Sequence, residues 1–134
     1  MAAILISESH PDVRRLLEQM VVRLGHKPVA ATAPSPEQLR SADAFLVEPA
    51  DPIGAVLAQA ARLVDPTLPL ISVSVAAPPP ELEWLGVRFA AALVKPFTLE
   101  ELRVAIGEAL RSPRGGRAGG PPESSAFTDR GWAA

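Results

Sequence analysis

The stretch Leu93-Val94-Lys95-Pro96-Phe97-Thr98-Leu99-Glu100-Glu101-Leu102 decides the fold. Ala91 to Val94 is a short apolar run of the kind that forms a buried strand. It ends at a lysine placed before a proline. Thr98, with Glu101 three residues on, makes a capping box that starts a helix. Leu102, Ile106 and Leu110 then continue an apolar stripe at helical spacing. A strand therefore passes directly into a helix, with Lys95 at the junction. Two other apolar runs end in the same manner. Ile4-Leu5-Ile6-Ser7 delivers Glu8, and Ala44-Phe45-Leu46-Val47 delivers Glu48. In an open parallel α/β sheet, the carboxyl edge of the strands is where ligand and reaction sites form.

Working outward, the same alternation recurs. Ala3 to Ser7 predicts a buried strand. Pro11 opens a helix, where its missing N–H costs nothing. Val13, Leu16, Leu17, Met20, Val21 and Leu24 form one apolar stripe, opposite Arg14, Arg15, Glu18, Gln19 and Arg23. Gly25 stands where a C-terminal glycine cap belongs. Pro28 to Thr32 predicts a weak strand at an edge. Ser35-Pro36-Glu37-Gln38 starts a short helix. Ile53 to Val64 predicts a helix with Val56, Leu57, Ala60 and Val64 inward. Leu70 to Val75 predicts the fourth strand. Pro78-Pro79-Pro80 interrupts, so Glu81 to Leu85 makes only a short helix. Five strands alternating with helices imply a parallel sheet covered on both faces.

From Ser112 the pattern stops. Pro113, Gly115, Gly116, Gly119, Gly120, Pro121 and Pro122 predict a flexible Gly/Pro-rich tail over 112–134, beyond a domain spanning 1–111. The chain has 134 residues, 48% of them hydrophobic, enough for one ordinary core. A formal net charge of -2 and no basic stripe argue against a nucleic-acid partner. There is no cysteine, so disulfides and thiolate chemistry are excluded. No apolar run approaches the roughly 18 residues of a membrane span. The amino terminus lacks a basic leader, and the expected location is cytoplasmic. No Ser/His/Asp set, Gly-rich phosphate loop or paired ligand histidines are present, so no enzymatic activity is expected. His10 and His26 lie far apart in the pattern.

Ile4-Leu5-Ile6, the helix from Pro11-Asp12-Val13-Arg14-Arg15-Leu16-Leu17, the Leu24-Gly25-His26 turn, and Leu93-Val94-Lys95-Pro96-Phe97 followed by Leu99-Glu100-Glu101-Leu102 together resemble the receiver domain of bacterial two-component response regulators. The resemblance covers roughly residues 3–111. It implies a flavodoxin-like α/β domain whose five parallel strands run in the order 2-1-3-4-5. In that family an acidic pair holds Mg²⁺, an aspartate accepts phosphate, a hydroxyl and a lysine bind the phosphoryl oxygens, and an aromatic switches rotamer. The resemblance carries these roles onto Glu8 and Ser9, Glu48, Ser74, Lys95 and Ala92 respectively. It also implies a cis bond between Lys95 and Pro96.

Only Ser74 and Lys95 conform. Ser9 removes one carboxylate, and Glu8 sets the other a methylene further out, whereas Mg²⁺ demands compact oxygen ligands. Glu48 overshoots the acceptor position, and in-line transfer loses about 100-fold for a displacement of about 1 Å. Ala92 removes the switch, the Glu48 to Ser74 connection is short for the family, and Asp51-Pro52 replaces the usual Met-Pro. These departures imply a stand-alone pseudo-receiver that signals by protein interaction, without phosphorylation and without a cofactor. Glu48 stands either as a permanent phospho-aspartate mimic or as a plain ion-pair partner of Lys95. Two alternatives remain: an unusual phosphoacceptor using Mg²⁺ and Glu48, with Glu8 and Asp51 as further metal ligands, or a small-molecule binder at the strand edge. The expected partner is another signalling protein. The candidate face, which also suits a homodimer, combines the short helix at 81–85, the strand at 91–94 and the helix after Thr98. Trp84 beside that face, and Phe127 and Trp132 in the tail, are the candidate contacts.

Overall fold

The computed structural model describes residues 1–76, 78, 82–83 and 86–111. Five strands, β1 (Ala3–Ser7), β2 (Lys27–Ala30), β3 (Ala44–Val47), β4 (Leu70–Ser74) and β5 (Ala91–Val94), alternate with four helices. These are α1 (Pro11–Arg23), α2 (Pro36–Ser41), α3 (Pro52–Val64) and α4 (Leu99–Leu110). The sheet is wholly parallel, as the alternation implied, and its order β2-β1-β3-β4-β5 is the one the resemblance implied.

Side chains alternate across the sheet and split the core in two. Ile4, Ile6, Leu46, Ile71, Val73 and Leu93 face Leu17 and Val21 of α1 and Leu102, Ile106 and Ala109 of α4. Leu5, Phe45, Val47 and Leu70 face Leu39 of α2 and Ala58 and Ala61 of α3. Local signals position these helices as anticipated. Ser35 and Thr98 each form a complete capping box, Pro11 occupies the first turn of α1, and Gly25 follows α1 with φ +87°, a conformation closed to most side chains.

Three expectations need correction. The second strand runs over Lys27–Ala30, not Pro28 to Thr32. The Lys27 amide donates to the carbonyl of Ala2 and that of Ala31 to Ile6, which sets the register a residue earlier. In α3, Val56 faces solvent with 63% exposure, and Gly54, Ala58 and Ala61 take the buried positions. The helix is apolar nearly all round, so pattern alone does not select its inner face. Contact with the sheet selects the smallest side chains. Finally, β4 ends at Ser74, leaving Val75 73% exposed. The expected helix at 81–85 lies outside the described residues except for Leu82 and Glu83, as do Trp84, Phe127, Trp132 and the whole of 112–134.

Candidate functional site

Residues immediately beyond β1, β3 and β5 bring three side chains together at the carboxyl edge. Lys95 Nζ donates to Glu8 Oε1 at 3.1 Å and to Glu48 Oε1 at 2.9 Å. The side chains are 22% exposed for Lys95, 6% for Glu8 and 17% for Glu48. Burial works against the lysine's charge, but the hydrogen bonds to Glu48 and Glu8 and their negative charges prevail, so its pKa is raised. Glu8 is held further. Its Oε2 accepts from the His10 amide at 3.2 Å, and its carbonyl accepts from Arg14 Nη1 at 3.3 Å.

The other sequence candidates are placed around this triad rather than in it. Ser74 is fully buried. Its hydroxyl donates to the Ala76 carbonyl at 2.8 Å and accepts from the Ala76 amide at 3.1 Å, a local turn. Only its backbone reaches the site, the Lys95 amide donating to the Ser74 carbonyl at 2.8 Å. Asp51 caps α3, with Oδ1 accepting from the Ile53 amide at 3.0 Å. Ser9 is exposed and lines a cleft of about 390 Å³ together with Glu8, Glu48, Asp51, Arg14 and Thr32. Ala92 is exposed on β5 and borders a separate hollow with Val87 and Phe89. The Lys95–Pro96 bond is cis. Among the described residues, no three His, Asp or Glu side chains converge as a metal-holding set.

Sequence reasoning missed two features of the site. Gly54 lies so close to the loop after β3 that a Cβ there would sit 1.8 Å from the Glu48 carbonyl oxygen. Glycine lets α3 press against the backbone that carries Glu48. The second is Arg14, read as a solvated surface charge but found at the cleft. The Arg14-to-Glu8 contact links a helix side chain to a backbone carbonyl, and no spacing rule signals it. His26 lies at the opposite, amino-terminal edge, its Nδ1 accepting from the Ala2 amide at 3.2 Å.

No family model matches the chain, and no curated protein matches its sequence. Solved structures do match. A response regulator receiver domain protein from Clostridium thermocellum superposes with a TM-score of 0.68 at 17% identity, over 83% of this chain and 95% of the other. A sensor protein from Polaromonas sp. JS666 gives 0.67 at 25% identity, over 82% and 96%. The receiver domain of a sensor histidine kinase from Pseudomonas aeruginosa, with a magnesium ion coordinated in its active-site cleft, gives 0.63 at 24%, over 81% and 97%. The chain has the fold of response-regulator receiver domains. Its edge carries one lysine shared between two glutamates.

Proposed function

We propose that this chain is a pseudo-receiver, a protein-interaction module of bacterial signal transduction that works without phosphorylation. The observation that carries this is the occupancy of Lys95. Its ammonium already bonds both Glu48 and Glu8, at 2.9 and 3.1 Å, so a phosphoryl oxygen would compete with two carboxylates for it. The same contacts occupy one oxygen of each carboxylate, and the second oxygen of Glu8 accepts the His10 amide. That donor set suits Mg²⁺ poorly, because Mg²⁺ requires near-octahedral oxygen ligands at about 2.0–2.1 Å. The hydroxyl of Ser74 is committed to Ala76. Neither cofactor nor acyl phosphate enters this account.

Output then comes from surface contact with a signalling protein. Val94 on β5 and Val104 on α4 are both exposed, which supports the β5 and α4 side as one contact face, for a partner or for a second copy. Among the described residues, no helix is long and apolar enough to cross a membrane. The test is an amide NMR titration with Mg²⁺ and then beryllofluoride. The expected result is that the signals of Glu8, Glu48, Ser74 and Lys95 stay in place. Shifts clustered on those four residues would establish a working phosphoryl pocket and overturn the proposal.

The cleft of about 390 Å³ favours a second reading, a small polar ligand held between Arg14, Thr32 and Asp51. It requires ligand-dependent thermal stabilisation that persists in a metal chelator.

A further inference from the structure

The outward face of α3 is apolar from end to end. Ile53 is 61% exposed, Val56 63% and Leu63 87%, with Ala60 half-buried between them. At 3.6 residues per turn these four positions fall within an arc of about 80°. The arc points away from Gly54, Ala58 and Ala61, the buried side of the helix. The other long helices carry charge outward, Asp12, Arg15 and Arg23 on α1 and Glu100, Arg103 and Glu108 on α4. In α3 the single charged residue is Arg62, and its guanidinium donates to the carbonyls of Pro66 and Leu68. A helix that is hydrophobic all round is characteristically one buried on both sides.

We propose that this face pairs two copies of the chain, α3 against α3 and antiparallel, about a two-fold axis. Spacing, symmetry and charge select a second copy as the occupant. The stripe Ile53, Val56, Ala60, Leu63 advances by three, four and three residues, the seam of a coiled coil, whose complement is another helix. The same stripe is symmetric about Ala58. An antiparallel two-fold therefore sets Ile53 of one copy against Leu63 of the other, and Val56 against Ala60. Bulky side chains meet at both ends, and the small Ala60 lets the axes approach in the middle. A two-fold contact demands this reciprocity, residue i meeting j and j meeting i. It also brings like surfaces together, so a charged stripe would repel itself, whereas this one carries no charge.

The 13 residues of α3 make about 20 Å of helix roughly 10 Å wide, a footprint of about 200 Å² before flanking residues are added. A stable complex buries about 800 Å² on each partner, so the dimer is weak and depends on concentration. Because α3 lies across the sheet from α4, pairing there leaves the β5 and α4 side of each copy open to a signalling protein.

The experiment uses the full chain. Sedimentation velocity and amide NMR spectra are recorded on dilution from about 1 mM, the weak end of measurable affinity. The expected result is a monomer–dimer equilibrium with concentration-dependent shifts at Ile53, Val56, Ala60 and Leu63. Val56→Glu, at an exposed position, abolishes both and leaves the dilute spectrum otherwise unchanged. A chain that stays monomeric up to about 1 mM overturns the proposal. So does a dimer whose shifts fall on Val94 and Val104 and which survives Val56→Glu. The chain has no cysteine, so single introduced thiols report the register cleanly. Under an added thiol oxidant, a mixture of Ile53→Cys and Leu63→Cys chains cross-links to each other faster than either chain does to itself. Self-linkage that is as fast or faster refutes the antiparallel pairing.

Discussion

Replacing Lys95 with methionine tests the physics of the triad directly. The two carboxylate oxygens lie 3.1 and 2.9 Å from the same nitrogen, so they are no more than about 6 Å apart. Removing the ammonium leaves two like charges at that separation. With an effective dielectric constant of about 20, their repulsion is about 3 kcal/mol. Breaking a fully buried pair costs about 3–5 kcal/mol. Here Lys95 is 22% and Glu48 17% exposed, so Glu48 can swing part-way to water and the cost falls to about 2–3 kcal/mol.

Urea unfolding followed by circular dichroism at neutral pH measures that cost. With a slope of about 1.5 kcal/mol per molar, the midpoint drops by roughly 1–2 M. Glu48→Gln leaves the Lys95–Glu8 pair in place and should cost about 1 kcal/mol. The deficit of Lys95→Met narrows at alkaline pH. The pKa of Lys95 is raised by folding, so its contribution is complete below the ordinary lysine value near 10.4 and is lost as pH climbs through the folded value. A Lys95→Met midpoint within about 0.5 kcal/mol of the parent at neutral pH would refute the idea that the lysine holds two mutually repelling acids.

Gly54→Ala drives a Cβ into the Glu48 carbonyl, so α3 must shift; a loss of about 1–3 kcal/mol in thermal unfolding is expected, with amide shifts at Glu48 and Lys95. The pKa of His26 is lowered by burial and by the positive amino terminus, against the pull of Asp43. Its contribution is therefore present above the ordinary histidine value near 6.5 and is lost as pH falls through the folded value. His26→Gln should flatten the stability profile below that point. Ser72→Ala should be neutral or slightly stabilising by chemical denaturation, since the buried Ser72 hydroxyl finds no hydrogen-bond partner among the described residues. Thr98→Ala removes the cap of α4 and should cost about 1 kcal/mol on the same measure.

Most of the architecture was legible because strand, cap and turn signals are local. Thr98 with Glu101, Ser35 with Gln38, and Gly25 each announce an element boundary within four residues, and the structure uses all three. The ends of β1, β3 and β5 could be read as a shared edge because parallel connectivity forces them to one side. The inner face of α3 was not legible. Its apolar residues surround the axis, and the decision rests on which positions can approach the backbone at Glu48. Nor was the exposure of Leu16. The stripe in α1 contains more apolar positions than the sheet can cover, and only the packed structure shows that Leu17 and Val21 are the covered ones. Hydrogen bonds between distant residues, such as Arg14 to Glu8 and Ala2 to His26, leave no periodic trace.

The two glutamates are best understood together rather than as separate departures from an aspartate pattern. A single long acid at position 48 would leave one carboxylate facing one lysine, a neutral pair that an incoming anion could still contest. Glu8, almost wholly buried, adds a second acceptor on the same ammonium. The triad then carries one net negative charge in a partly desolvated cleft. A phosphoryl group approaching Lys95 would meet that charge and would have to displace two charge-assisted hydrogen bonds, each stronger than a neutral one. Both acids reach one nitrogen from the ends of separate strands. Position and charge thus act in the same direction. They place a net negative charge at the edge above an intact sheet, and that charge is the electrostatic basis of the pseudo-receiver proposal.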